Sequence, residues 1–253
     1  MIYVTGDCHG EWNRFSVTNF PQQKYMTRDD VVIVCGDFGI WRNDRYEQWW
    51  LKWLEEKPFT ILFVDGNHEN HDRLNSGEFP TVERYGGKVH QIRQNVFHLM
   101  RGYVYDICGK KIFAFGGARS HDISDGILDP ADYPDEKAYK STYIHWMKAG
   151  KRFRINRHTW WAEEMPSSEE MAFGLENLQK NNYSVDFIIS HCCPHSIIHR
   201  HTIEPFAPDP LTEYFDKLAS MVSFDKWVFG HYHNDTCVLD RYLLFFHEIS
   251  RIV

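Results

Sequence analysis

A mixed α/β fold is what the sequence predicts, and three observations carry that expectation. Short apolar or alternating runs recur along the 253 residues, with amphipathic helical patterns between them. The opening strand, helix, strand succession implies parallel pairing, because a helix is long enough to carry the chain back across a sheet. Runs crowded between 87 and 115 leave no room for crossovers and imply hairpins.

In chain order the strand candidates are MIYVT, VVIVC, FTILFV, KVHQI, VFHLM, YVYDI, KIFAFGG, VDFIIS, KWVFG, TCVLD and RYLLFFHEI. The segment 44–56, DRYEQWWLKWLEE, places apolar residues at 46, 49, 50, 53 and 54. That is a helical stripe, with Trp49 and Trp50 expected in the core. A second helix is expected over 167–180, where Ser167 precedes Glu170 by three positions and follows Pro166, the pattern of a capping box. Residues 118–165 break the rhythm with Gly, Asp and Pro punctuation; a loop-rich excursion of this length suits a lid or binding loop better than a spacer. One domain over 1–253, carrying this lid-like insertion, is the expected organisation.

Hydrophobic residues make up 43% and aromatics 16%, the profile of a packed chain. A formal net charge of −7 gives no global basic field, so nucleic acid is expected only as a locally bound substrate. No run approaches the ~18 uncharged apolar residues of a membrane span. No cationic leader precedes the first strand, and a cytoplasmic protein without a membrane partner is expected. The six Cys include no CxxC pair and read as reduced thiols, with Cys8, Cys35 and Cys237 beside strand runs as small buried hydrophobes. Oligomeric state is not legible.

Chemistry concentrates where five of the runs end: YVTGDCHG, VIVCGDFG, LFVDGNHE, FIISHCCPH and WVFGHYHN. Side chains at the carboxyl ends of strands in an α/β sheet converge on one crevice, so five distant segments can supply one site. Asp7, Asp37 and Asn67 recur every 30 residues, as successive β-α-β units would place them. In four of the five runs a Gly precedes the first donor and lets the chain approach an ion closely. Asp7, His9, Asp37, Asn67, His191, His231 and His233 make seven O and N donors, too many for one four-coordinate ion. One carboxylate bridging two ions accommodates them, and a donor set without thiolates argues against structural zinc.

The motifs GDCHG, GDFG, GNHE, SHCCP and GHYH, in that order, resemble the signatures of the calcineurin-like metallophosphoesterase superfamily. The resemblance implies a four-layer sandwich of two mixed β-sheets flanked by helices. It implies Asp7, His9, Asp37 and His233 around one ion, and Asp37, Asn67, His191 and His231 around the other, with Asp37 the bridge. His68 matches the histidine that protonates the leaving group. Two divalent or transition ions, Mn, Fe or Zn by their mixed O and N donors, are the implied cofactors. Hydrolysis would proceed by attack of a hydroxide held between ions ~3.5–4 Å apart, without a covalent phosphoenzyme.

In the branch containing protein Ser/Thr phosphatases and diadenosine tetraphosphate hydrolases, the middle motif is GDxxDRG; here Ile40 and Trp41 stand in place of its Asp and Arg. This speaks against a protein phosphatase and leaves His68 without its usual partner, for which Asp44, Asp65 and Asp72 are candidates. Arg42, Arg45, Arg73 and Arg119 are candidate phosphate contacts, because a guanidinium matches a phosphate edge. Arg42 and Arg119 are the substrate-binding choices. His121 and Asp122 are expected to stay clear of the substrate. Trp160 and Trp161 are candidates for stacking a base or aromatic leaving group. The His-dense HCCPHSIIHRH segment suits either a third ion or an ordinary loop, and the other histidines read as structural. A small nucleotide-like phosphomonoester is the preferred substrate, with a phosphodiesterase, nuclease or protein phosphatase as alternatives. The last alternative, a catalytically inactive metal-binding interaction module, is opposed by the presence of every ligand candidate together with His68.

Overall fold

The VVIV run has no polar side because it becomes the middle of a parallel sheet covered on both faces. In the computed structural model, which describes residues 1–199 and 207–253, the chain forms β1 (Ile2–Thr5), β2 (Val31–Val34), α1 (Arg45–Glu55), β3 (Thr60–Phe63), α2 (His71–Asn75), β4 (Thr81–Arg84), β5 (Gly87–Arg93) and β6 (Val96–Leu99). It continues with β7 (Tyr103–Ile107), β8 (Lys110–Phe115), β9 (Ile127–Leu128), α3 (Glu136–Lys148), β10 (Arg154–Ile155) and α4 (Ser168–Lys180). The remainder is β11 (Phe187–Ser190), α5 (His195–Ile198), α6 (Pro210–Met221), β12 (Lys226–Phe229), β13 (Thr236–Val238), β14 (Tyr242–Leu244) and β15 (Ser250–Arg251).

Two mixed sheets result. The first has the order β15-β1-β2-β3-β6-β5-β4, parallel from β1 to β6 and antiparallel at its edges. The second, β13-β14-β12-β11-β8-β7, repeats that plan with a parallel centre from β14 to β8. The expected hairpins are present as β5-β6 and β7-β8, and the chain changes sheets between them.

Strand alternation sorts the core into three layers. Ile2, Val4, Ile33 and Leu62 of the first sheet meet Ile112, Ala114, Ile189 and Val228 of the second. Tyr3, Val32, Val34, Ile61 and Phe63 point outward to Trp12, Phe15 and to Leu51 and Leu54 of α1. On the opposite side Phe113, Phe115, Ile188 and Trp227 pack on Leu178 of α4 and on Leu211, Phe215 and Leu218 of α6. Helix, sheet, sheet, helix is the four-layer arrangement the motifs imply, and each large side chain so buried is worth about 1.5–3 kcal/mol.

Both expected helices form. Asp44 caps α1, accepting from the Glu47 N–H. At α4 the Ser167–Glu170 capping box is complete in both directions. Three expectations need correction. Trp49 is 58% exposed and Trp50 only half-buried, because α1 turns Leu51 and Leu54 inward instead. The 118–165 segment is more ordered than its punctuation suggests: β9 pairs with β10, and α3 is a 13-residue helix capped by Asp135. Cys237 is exposed, since β13 is an edge strand; Cys8 and Cys35 are buried as expected, and the thiols are free. Among the described residues no helix is long and apolar enough to cross a membrane.

Candidate metal centre

Each donor candidate lies in the loop just beyond a parallel strand: Asp7 and His9 after β1, Asp37 after β2, Asn67 after β3, His191 after β11, and His231 and His233 after β12. The first sheet contributes four and the second three, so the cluster sits where the carboxyl edges of the two sheets meet. Asp7, Asp37, Asn67 and His191 are buried; His9 and His231 are half-buried and His233 exposed.

The preceding glycines are explained by contact. A Cβ at Gly36 would overlap the His191 ring, one at Gly66 would overlap Asp37 Oδ1, and one at Gly230 would overlap Asp7 Oδ1. The donors carry strain of their own: His9 (φ 48°), Asp37 (48°), His231 (70°) and His233 (48°) all occupy the left-handed region. A non-glycine residue held there costs of order 1–3 kcal/mol and persists only where its surroundings fix it. Here the loops fix one another. The Asp37 carbonyl accepts from the Cys8 and His9 N–H groups at 3.0 and 2.7 Å, and Asp37 Oδ1 accepts from His68 N–H at 2.8 Å. Asp7 Oδ1 accepts from His231 N–H at 2.9 Å, and buried Glu69 accepts from Phe38 and Gly39 N–H at 2.5 and 3.3 Å. Arg14 closes the far side on the carbonyls of Gly6, Asp7 and Phe246.

The donor atoms face one another. Those of Asp7, His9 and His233 lie within 4.8 Å of each other, as do those of Asp7, Asp37 and His191. His9 Nε2 is 3.1 Å from His233 Nε2, and His191 Nε2 is 3.3 Å from Asp37 Oδ2 and 3.2 Å from Asn67 Oδ1. Asp7 Oδ2 is buried, 3.1 Å from His233 Nε2 and 3.7 Å from His9 Nε2. Such a knot of buried acceptors is the arrangement a cation satisfies, so the residues fit the implied metal pair. Cys8 turns its sulfur to the Gly6 carbonyl and is not among the mutually facing donor groups; burial pushes its thiol up to about 11.

Electrostatics follow the crowding. Burial works against charge on Asp37, yet His191, His68 and His9 hold its carboxyl well below the usual range. Burial lowers His191 in turn, but Asp37 and Asp7 outweigh it and bring it up to about 10. Burial, with His191 and His121 beside it, keeps His231 well below an ordinary imidazole; His9 is lowered chiefly by burial, while hydrogen bonding to Asp7 raises His233.

Behind this cluster stands a relay that sequence reasoning missed. Asn67 Nδ2 donates to Ser120 Oγ at 3.2 Å, leaving Oδ1 toward the cluster, and Ser120 donates to buried Glu164 through N–H at 2.9 Å and Oγ at 2.6 Å. Burial raises Glu164 to about 7. Ser and Glu in a loop insertion carry no recognisable spacing, so no signal marked them.

His68 borders a cavity of about 410 Å³ together with His9, Trp41, Arg42, Arg154, His158, Thr159 and Trp161. Its partner is none of the three aspartates considered. Asp44 caps α1, Asp65 is held by Arg101 and His98, and Asp72 is held by Arg157 and the Trp161 indole. Arg154 Nη2 lies 3.2 Å from His68 Nε2, and Asp122 holds Arg154 at 2.5 Å. Burial lowers the His68 pKa; Asp37 opposes this and Arg154 adds to it. His121 also comes close, 3.4 Å from His231 Nε2. His121 and Asp122, expected not to reach the substrate, are brought beside the donor loops by the turn after β8.

Of the arginines, Arg42 lines the cavity, whereas Arg119 is exposed and outside its lining. Arg45 is exposed at the start of α1, and Arg73 is committed to Glu47 and Glu78 at 2.7 and 2.6 Å. Trp161 is buried in the cavity wall. His195 and His199 stack at 5.6 Å, and among the described residues no third donor joins them; His201 lies outside the described residues.

The sequence is similar to those of known proteins. The calcineurin-like phosphoesterase family model matches residues 1–235. Lariat debranching enzyme A of Xenopus laevis is 25% identical over 215 residues, which cover 78% of this chain and 34% of that protein. The lariat debranching enzyme of Gallus gallus is 26% identical over 159 residues, covering 56% of this chain and 28% of its own. The chain thus spans about a third of the length of the curated relatives it matches. With five strand-end loops in one order around one cluster, and a family match running through all of them, the chain belongs to the calcineurin-like phosphoesterase family, whose members are metal-dependent phosphoric ester hydrolases.

Proposed function

We propose that the protein hydrolyses a phosphate ester at a two-metal site, with Asp7, His9, Asp37 and His233 holding one ion and Asp37, Asn67, His191 and His231 the other. The observation that carries this reading is the convergence of mutually facing O and N donors from both sheets on buried Asp7 and Asp37. Bound Mn, Fe or Zn would neutralise the phosphoryl oxygens and supply a nucleophile at neutral pH. The chain's own groups do the rest. Asp37 is anchored by the His68 N–H, which keeps it between the two sets of histidines. His68 lines the cavity at the edge of the cluster, where it is placed to hand a proton to the departing alkoxide.

A cavity of about 410 Å³ with Trp41 and Trp161 in its wall suits a nucleotide-sized group, and a small nucleotide-like phosphomonoester is the substrate we favour. A phosphodiester is the second reading, and the names of the two relatives favour it: both are lariat debranching enzymes. The 118–165 insertion acts as a lid, since Arg154, His158, Thr159 and Trp161 line this cavity.

Hydrolysis of matched aryl phosphomonoester and phosphodiester substrates with added Mn²⁺ tests the reading. Wild type turns over at least one of them, and Asp37→Asn loses at least 10²-fold by removal of the bridging charge. His68→Ala loses about 10²–10⁴-fold on esters with poor leaving groups and far less on p-nitrophenyl esters. A wild type that binds no metal and hydrolyses neither ester would end the proposal.

A further inference from the structure

The insertion brings a cation to His68 that no metal motif contains. Arg154 opens from β10 into the cavity wall, 21% exposed, with Nε 2.8 Å and Nη2 2.5 Å from Asp122 Oδ2. The same Nη2 lies 3.2 Å from His68 Nε2, and Nη1 is 3.4 Å from the Thr159 carbonyl. The neighbouring arginines are committed elsewhere. Arg73 is bound by Glu47 and Glu78, Arg101 by Asp65 and Glu170, Arg157 by Asp72 and Glu163, and Arg14 by Thr5 and main-chain carbonyls. Among the described residues, the cavity lining holds two guanidiniums, Arg42 and Arg154, three imidazoles and no carboxylate. A wall of that composition attracts anions, and a planar guanidinium matches two oxygens of a phosphate at once.

We propose that Arg154 binds the phosphoryl group of the substrate, that Asp122 is the positioning residue that aims it, and that Arg154 latches His68 until substrate arrives. This inference rests on the phosphoesterase reading above. An Arg154 N–H occupies His68 Nε2, the atom that must face the leaving oxygen. An incoming phosphate offers the same N–H a charged acceptor. The guanidinium transfers from ring nitrogen to phosphoryl oxygen, and Nε2 becomes free. No covalent bond changes in this exchange; one hydrogen bond breaks and a charge-assisted one replaces it, and the freed Nε2 then takes up from solvent the proton it passes to the leaving oxygen. Asp122 makes the exchange reproducible by holding Nε and one N–H of Nη2, so that the second Nη2 N–H changes acceptor with little movement of the guanidinium plane.

Inorganic phosphate titrated calorimetrically into Mn²⁺-loaded protein tests this directly, alongside steady-state kinetics with p-nitrophenyl phosphate and bis(p-nitrophenyl) phosphate. Arg154→Ala is expected to weaken phosphate binding by about 10-fold or more, and Arg154→Lys to restore part of it, because charge returns without the fork. Asp122→Asn is expected to raise KM by about 3–10-fold while metal content and the thermal midpoint stay as in wild type, and Asp122→Glu to recover most of that loss. Phosphate affinity unchanged in Arg154→Ala overturns the proposal, as does a loss in Asp122→Asn that tracks a fall in thermal midpoint. If wild type binds phosphate through Arg154 but hydrolyses neither ester, the anion site stands and the esterase reading falls.

Discussion

Asp37 shows how much chemistry one residue is asked to reconcile. It is buried, sits at φ 48°, accepts the His68 N–H and lies 3.3 Å from His191. Gly66 is the residue that makes room for it, since any Cβ there would overlap its Oδ1. Gly66→Ala is accordingly expected to lose at least 10-fold in bound metal and 10²-fold in activity, measured by metal analysis and aryl ester hydrolysis. Full metal occupancy in this variant would show that the loop relaxes freely. The candidate donors were legible in the sequence because each follows a strand end, and in four of the five runs a glycine precedes the first of them. Ser120, Glu164, Asp122 and Arg154 were not, because their contacts join loops far apart in sequence and depend on how the insertion folds back. Ile40 and Trp41 illustrate the middle case. Sequence reading marks them as departures, but only the structure shows Ile40 in the core and the Trp41 indole donating to the His68 carbonyl.

At the level of elements, local signals and packing agree best at α4. Ser167 accepts from the Glu170 N–H while Glu170 returns the bond to Ser167 N–H, and Arg101 reaches the same Glu170 carboxylate at 3.1 Å. Ser167→Ala is expected to lower stability by about 1 kcal/mol without changing activity, read from urea midpoints. A change below a few tenths would mean that Pro166 and Arg101 hold the helix start unaided. Gly174, mid-helix, looks like a weakness in the sequence, yet a Cβ there would meet the Tyr214 hydroxyl and Phe115. Where periodicity failed, tertiary packing had overruled it. Trp49 follows the helical stripe but faces solvent because α1 is rotated to bury Leu51 and Leu54. In α3 the sequence pattern was obscured by the flanking Pro and Gly residues; Asp135 capping the Ala138 N–H was the signal available.

For the whole molecule, a second cavity of about 460 Å³ behind the GNHE loop stores a pH liability. His71 and His90 line it, and burial pulls both down to about 4 from an ordinary 6.5. Because the folded chain binds these protons more weakly than the unfolded chain, the stability they contribute is complete above pH 6.5 and is lost as pH falls toward 4. At about 1.4 kcal/mol per unit the pair accounts for several kcal/mol across that window. His90→Gln should therefore show a smaller drop in urea midpoint between pH 7 and pH 5 than wild type. Parallel curves would assign the acid sensitivity elsewhere.

The same scale gives the meeting of the two sheets its full weight. The His231 N–H to Asp7 hydrogen bond closes a span of 224 residues, and His191 Nδ1 rests 2.7 Å from the Cys35 carbonyl across 156. Closing loops over such separations costs entropy before the contacts reward it, so the donor cluster is expected among the last contacts the folding chain completes. A newly made molecule therefore acquires its affinity for metal only once both halves are built and docked. Metal uptake, followed in time during refolding, would mark the arrival of the native state, and the ions would act as an inspector's seal on a finished fold.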